Sequence, residues 1–241
     1  MIKLTTPKGN AICQWQDWSR PKKDYQWVSG RSAMELAKSW FRNERLSPPS
    51  ELSSLLESDR RFQNIKFVHG IPELVTSLPE KGEGRNHDLW ISGLTDIEKV
   101  TICVEAKADE PFGNDTVLSY RKSSLARRSK GTSTRVPERI DKLVELTGLP
   151  LSVWEPIRYQ LLTALCGTLI QAKKDESKVA VFIVHEFETA LTTKEKMDEN
   201  NNEYQKLLGI FKLNSPKQSL STPVLIGDID CYFAKIRTVV K

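Results

Sequence analysis

Cysteine and histidine are scarce in these 241 residues. The four cysteines (Cys13, Cys103, Cys166 and Cys231) lie far apart with no Cys-x-x-Cys, and there are three histidines (His69, His87 and His185). That spacing excludes a zinc module and argues against a disulfide framework, so a reducing, cytoplasmic setting is expected. Long apolar runs are missing too. The longest, Leu161 to Ile170, is too short to span a bilayer, and the opening Met-Ile-Lys-Leu-Thr-Thr-Pro lacks the apolar core of a signal peptide. The expectation is a soluble protein with no membrane partner. Gly-x-Gly-x-x-Gly, the P-loop and Gly-x-Ser-x-Gly are also absent, which sets aside the commonest nucleotide-binding and acyl-transfer machinery.

What is present is an ordinary globular composition, 39% hydrophobic, with a mild formal charge of +5 that permits a polyanionic partner without requiring one. The informative stretch runs from Asn86 to Asp109. It reads Asn-His-Asp-Leu-Trp-Ile-Ser-Gly, a polar turn, then Lys-Val-Thr-Ile-Cys-Val-Glu-Ala-Lys-Ala-Asp. β-branched residues in the second arm and turn residues at Gly93 to Asp96 predict a β-hairpin. Period-2 alternation puts Val100, Ile102 and Val104 on a core face and Thr101, Cys103, Glu105 and Lys107 on the other. A turn centred near Thr95 and Asp96 places Asp88 opposite Val104 or Glu105, so that Asp88, Glu105 and Lys107 converge. Two carboxylates beside an ammonium suit a hard divalent cation, with the lysine serving an attacking water. The plain alternative is a solvated strand edge, but Trp90 and Cys103 share that face and make it less than uniformly polar.

An Asp, a gap, then Glu-x-Lys across a hairpin resembles the PD-(D/E)XK nuclease superfamily, with His87 standing where its name has proline. The resemblance implies an α/β restriction-endonuclease-like fold, a mixed central sheet flanked by helices. It implies a Mg²⁺-dependent endonuclease, with Mn²⁺ as a possible substitute, that hydrolyses phosphodiester bonds, most naturally in DNA. Asp88 and Glu105 would hold the ion, the Ala106 carbonyl would join them, and Lys107 would serve the water. Relatives in that superfamily can carry a first-helix acid at the metal, which gives Glu35 a second reading beside completion of a capping box with Ser32. Some carry Gln-x-x-x-Tyr on the helix after the lysine strand; Gln160 fits the glutamine, while Ala164 stands at the tyrosine. Such enzymes can be homodimers. The alternative is a non-catalytic nucleic-acid-binding or accessory protein of a restriction or defence system.

Elsewhere the chain reads as one α/β domain, with residues 1–30 as an extension whose tryptophans pack on it. Helices are expected at about 32–43, 50–58, 137–147 and 154–174, strands at 65–68, 178–185, 223–228 and 231–239, and a polar surface helix at 193–208. Between Arg121 and Arg135 lie six basic residues and no acidic ones: Arg121, Lys122, Arg127, Arg128, Lys130 and Arg135. Serines, threonines and a glycine make the second half of that segment loop-like, suited either to phosphate-backbone contacts or to plain solvation.

Overall fold

The computed structural model describes residues 2–42, 44–214 and 219–240. The run Val-Ala-Val-Phe-Ile-Val, apolar at every position, can only be satisfied between two apolar layers. It forms β5 (Val179–Glu188) in the interior of a seven-stranded sheet, between β4 and β7. The other strands are β1 (Lys3–Leu4), β2 (Lys66–Thr76), β3 (Arg85–Leu94), β4 (Lys99–Lys107), β6 (Val224–Ile226) and β7 (Ile229–Val239), in the order β1-β2-β3-β4-β5-β7-β6. Strands β4, β5 and β7 run parallel, β2-β3-β4 form an antiparallel meander, and β6 closes one edge antiparallel to β7. The fold is therefore mixed α/β, as expected.

Each face of the sheet carries its own apolar cluster. One gathers Val100, Ile102, Val104, Val179, Val181 and Ile183 under α1 (Ser32–Ser39), α2 (Ser50–Glu57) and the N-terminal segment. The other gathers Ala180, Phe182 and Val184. It lies under α3 (Val117–Ser129), α4 (Val136–Thr147), α6 (Tyr159–Lys174) and α7 (Lys194–Ile210), with the short α5 (Leu151–Trp154) between α4 and α6. Gly148, at φ 69, ends α4 as a left-handed C-cap. Among the described residues no helix is long and apolar enough to cross a membrane.

Several boundaries differ from the sequence reading for local reasons. The strand expected at 65–68 continues to Thr76 past a bulge between Phe67 and His69 and past Pro72. Pro72 is tolerated because β1 pairs with β2 only at His69 and Gly70, leaving no neighbouring strand to require its missing N–H. The helix expected from Trp154 is two, separated at Pro156, which cannot supply a helical N–H. Arg31, not Ser32, is the N-cap of α1, and the Ser32 hydroxyl is turned to Glu110, so no capping box forms. Thr116 caps α3, its hydroxyl accepting from the Ser119 N–H at 3.1 Å. Within residues 1–30, Trp18 is buried and Trp15 and Trp27 pack against the core.

His87 and His185 are buried, each bonded through Nε2 to a threonine hydroxyl, Thr76 (3.1 Å) and Thr238 (2.9 Å). Burial pushes each imidazole down to about 3. Folding therefore keeps them neutral while the unfolded chain binds protons below about 6.5, so stability is lost as pH falls through that value. Urea unfolding at pH 7 and pH 5 should show a loss of about 2 kcal/mol per histidine, and His185→Gln should remove its share of that slope.

Candidate functional site

The hairpin register brings the charged residues together. Leu89 pairs with Val104 and Trp90 with Cys103, so Asp88 lies toward Glu105, the second of the two positions expected for it. The ladder between β3 and β4 stops at Leu89–Val104, and the next free N–H on β4, that of Ala106, donates to Asp88 Oδ2 at 2.7 Å. The two strands part at this point. On the other side of β3, paired positions run from Pro72–Leu89 to Leu74–His87, and Glu73 between them is held at φ 57. A non-glycine residue in the left-handed region within a strand is strained, and such strain collects at sites where a side chain must be aimed. Burial, and then the neighbouring Asp88 charge, push the Glu73 carboxyl up to about 7.

Glu105 and Lys107 are 1% and 4% exposed, so the charged face of β4 is closed by α6. A carboxylate at that depth must be compensated. Glu105 Oε1 forms an ion pair with Lys107 Nζ at 2.8 Å and accepts from Gln160 Nε2 at 2.7 Å, and Arg85 forms an ion pair with Oε2. Arg85 reaches Glu105 beneath α6 through space that Gly167 leaves free. A Cβ at Gly167 would stand 2.7 Å from the Arg85 Cγ. Burial lowers the basicity of both Lys107 and Arg85, and the Lys107 ammonium lies 5.2 Å from the Phe112 ring centre.

Asp88, Glu105, Ala106, Lys107 and Gln160 line one cavity of about 390 Å³, together with Glu73 and Glu110. Two of these lining residues, Glu73 and Glu110, and Arg85, which pairs with Glu105 from beside the cavity, escaped the sequence reading. Arg85 and Glu110 do stand beside the motif, within three residues of the asparagine that opens it and of Lys107, but charged residues flanking a strand carry no signature of their own. Glu73 lies in a stretch whose periodicity the bulge and Pro72 blur. Glu35 is placed elsewhere. It is 3% exposed, accepts from the Gly30 N–H at 2.8 Å, pairs with Lys38 at 3.0 Å, and lines a different cavity with Trp15 and Arg42. It completes neither the expected capping box nor the carboxylate group around Asp88.

The basic segment is likewise divided. Arg121 pairs with Asp141 (3.2 Å) and Arg128 with Glu138 (2.6 Å), and Arg127 donates to Ser124 Oγ at 2.9 Å. Lys122 and Lys130 are exposed, and Arg135 lines a second cavity beside the first. None of the six lines the cavity of Asp88 and Glu105.

The donor set can be weighed against a small hard cation. Among the described residues no group of three or more His, Cys, Asp or Glu side chains is arranged as a metal cage. Mg²⁺ does not require one, since it takes one or two carboxylates and completes its shell with water and phosphate. Asp88 and Glu105 with the Ala106 carbonyl supply that donor chemistry, and Arg85 is the cation such an ion would compete with at Glu105.

Two measurements test this electrostatic arrangement. Arg85→Met should destabilise the fold by about 3–5 kcal/mol because it leaves the buried Glu105 charge under-compensated, and adding Glu105→Gln should restore part of the loss in urea unfolding. Glu73 is raised above its unfolded value, so its contribution is lost as pH rises from about 4.5 through about 7. In EDTA, Glu73→Gln should therefore gain stability relative to the native protein between pH 5 and pH 8.

No curated protein and no solved structure matches the chain. A family model described as "Domain of unknown function (DUF6946)" matches residues 10–240, nearly the whole length, and the chain belongs to that family.

Proposed function

We propose that the protein is a metal-dependent phosphodiester hydrolase of the PD-(D/E)XK kind, acting on DNA. The observation that carries this reading is the convergence of Asp88 from β3, Glu105 and Lys107 from β4 and Gln160 from α6 on one cavity at the point where two strands part. Asp88, Glu105 and the Ala106 carbonyl would hold Mg²⁺ or Mn²⁺, which supplies Lewis-acid polarisation of the scissile phosphate and a more acidic water. The chain's own residues do the rest. Lys107, held as an ammonium by its ion pair with Glu105, would donate to the scissile phosphate and stabilise the charge that builds there as the bond to the attacking water forms and the bond to the leaving ester oxygen breaks, the water's proton passing to bulk solvent. Gln160 fixes the rotamer of Glu105 through Oε1, leaving Oε2 to its cationic partner. Glu110, whose carboxylate accepts from the Ala108 and Asp109 N–H groups at 3.3 and 3.1 Å, holds the backbone just after Lys107 in place.

One observation favours a second reading. Glu105 is already neutralised by Arg85, and a carboxylate so engaged suits a protein that keeps the fold and binds nucleic acid without cutting it. Cleavage separates the two. With Mg²⁺ or Mn²⁺, plasmid and single-stranded substrates should be cut by the native protein and left intact in EDTA. Asp88→Asn and Glu105→Gln should each lower the rate at least about a hundredfold, and Lys107→Ala about 10²- to 10⁴-fold with binding retained. A folded native protein that cuts no substrate with either metal would select the non-catalytic reading.

A further inference from the structure

A second and larger cavity, about 970 Å³, lies against the first. Its walls are the 78–86 loop, the segment Ser133–Arg135 ahead of α4, and the side chains of Tyr120 on α3 and Tyr159 and Thr163 on α6. The two cavities share a partition. Arg85 and Asn86 line the larger one, and the carboxylates they hold, Glu105 and Glu73, line the smaller. A group seated in the larger cavity is therefore one side chain away from Glu105 and Glu73.

The cavity is built in advance. The Arg139 guanidinium donates to the carbonyls of Pro79 (3.1 Å), Glu80 (3.2 Å) and Glu83 (2.8 Å), pinning the loop from within. Gly84 has no room for a side chain, since a Cβ there would stand 2.6 Å from the Thr76 carbonyl oxygen. Such fixing removes ordering cost from whatever binds.

Its lining specifies a ligand chemistry. Tyr120 and Tyr159 present a tilted aromatic pair with ring centres 4.6 Å apart, and both remain partly exposed. The acids of the rim are already paired, Glu80 with Lys142 at 2.5 Å and Glu83 with Lys22 at 2.9 Å. Arg135 and Lys81 have no ion-pair partner among the described residues, so the unneutralised charge of the cavity is positive. An apolar peptide would leave those cations unused, and a free phosphate would leave the rings unused. A flat π-system attached to phosphate uses both.

We propose that this cavity is a subsite for one unstacked nucleotide of the strand whose phosphodiester lies at Asp88 and Glu105. The base stacks on Tyr120, and the adjoining phosphate is held by Arg135 and Lys81. The subsite rests on the nucleic-acid reading above and not on hydrolysis. An unstacked nucleotide is offered by a single strand or by a base displaced from a duplex, and the two sources give different binding profiles.

The test is fluorescence anisotropy in EDTA, where no cleavage occurs, with a labelled single-stranded oligonucleotide, a blunt duplex, and the same duplex carrying one unpaired base. The native protein should bind the single strand or the interrupted duplex more tightly than the blunt one. Tyr120→Ala should weaken that binding about tenfold or more, Tyr120→Phe should retain it, and Arg135→Ala should lower the slope of log affinity against log salt by about one. Tyr120→Ala binding all three ligands as the native protein does would overturn the subsite. So would a native protein with no affinity for any of them. Tyr120-dependent binding in a protein that cuts nothing with Mg²⁺ would leave the subsite standing and remove the hydrolase. Metal-dependent cutting with affinity indifferent to Tyr120 would do the reverse.

Discussion

The Glu105 carboxylate is the constraint around which the rest of the molecule is arranged. β4 carries it into a layer sealed by α6, where an ionised group survives only with compensating charge and hydrogen bonds. Each compensating partner has a structural requirement of its own. Lys107 must lie two residues further along the same face. Gln160 must stand on the first turn of α6, which is where the chain becomes helical after the break at Pro156. Arg85 must pass beneath that helix, which is possible only because position 167 is a glycine.

A buried ion cluster is a poor source of stability, since well-packed apolar groups of the same volume commonly do as well or better. The apolar layers supply the stability here, one on each face, with Ile102, Val104 and Ile183 packed on the side away from Glu105. Retaining Arg85, Glu105, Lys107, Asp88 and Glu73 together at the parting of two strands is then better explained by chemistry than by folding. Their position agrees with the general tendency of open α/β sheets to bind ligands outside the carboxyl ends of parallel strands, because Lys107 is the last residue of β4 and lies beside Glu186 near the end of β5.

On the reading proposed above, the two adjoining cavities would divide the labour that a nucleic-acid enzyme requires. The smaller one collects carboxylates, a lysine of lowered basicity and a glutamine, groups suited to activating water and stabilising charge. The larger one offers aromatic faces and cations without an ion-pair partner among the described residues, groups suited to holding a strand. Arg85 and Asn86 line the larger cavity and hold Glu105 and Glu73 of the smaller one, so single side chains separate the two.

Features set by near neighbours along the chain were legible in its residues. Alternation of β-branched and polar residues defined the hairpin and put Glu105 and Lys107 on one face. An unbroken apolar run announced β5 as a strand buried on both sides. Gly148 marked the end of α4, and the glutamine on the helix after the lysine strand came to lie at Glu105. Which charges meet depended on long-range packing. Glu73 and Arg85 enter the site from β2 and β3 because the sheet splays at Asp88, while Glu35 points into another cavity because the turn at Gly30 captures its carboxylate. Arg121 and Arg128 look free in the sequence, yet they are paired with acids of α4 because α3 packs against that helix. Periodicity is written in residues two to four apart and can be read locally. The partner of a buried charge is set by how distant segments pack, and no local pattern records it.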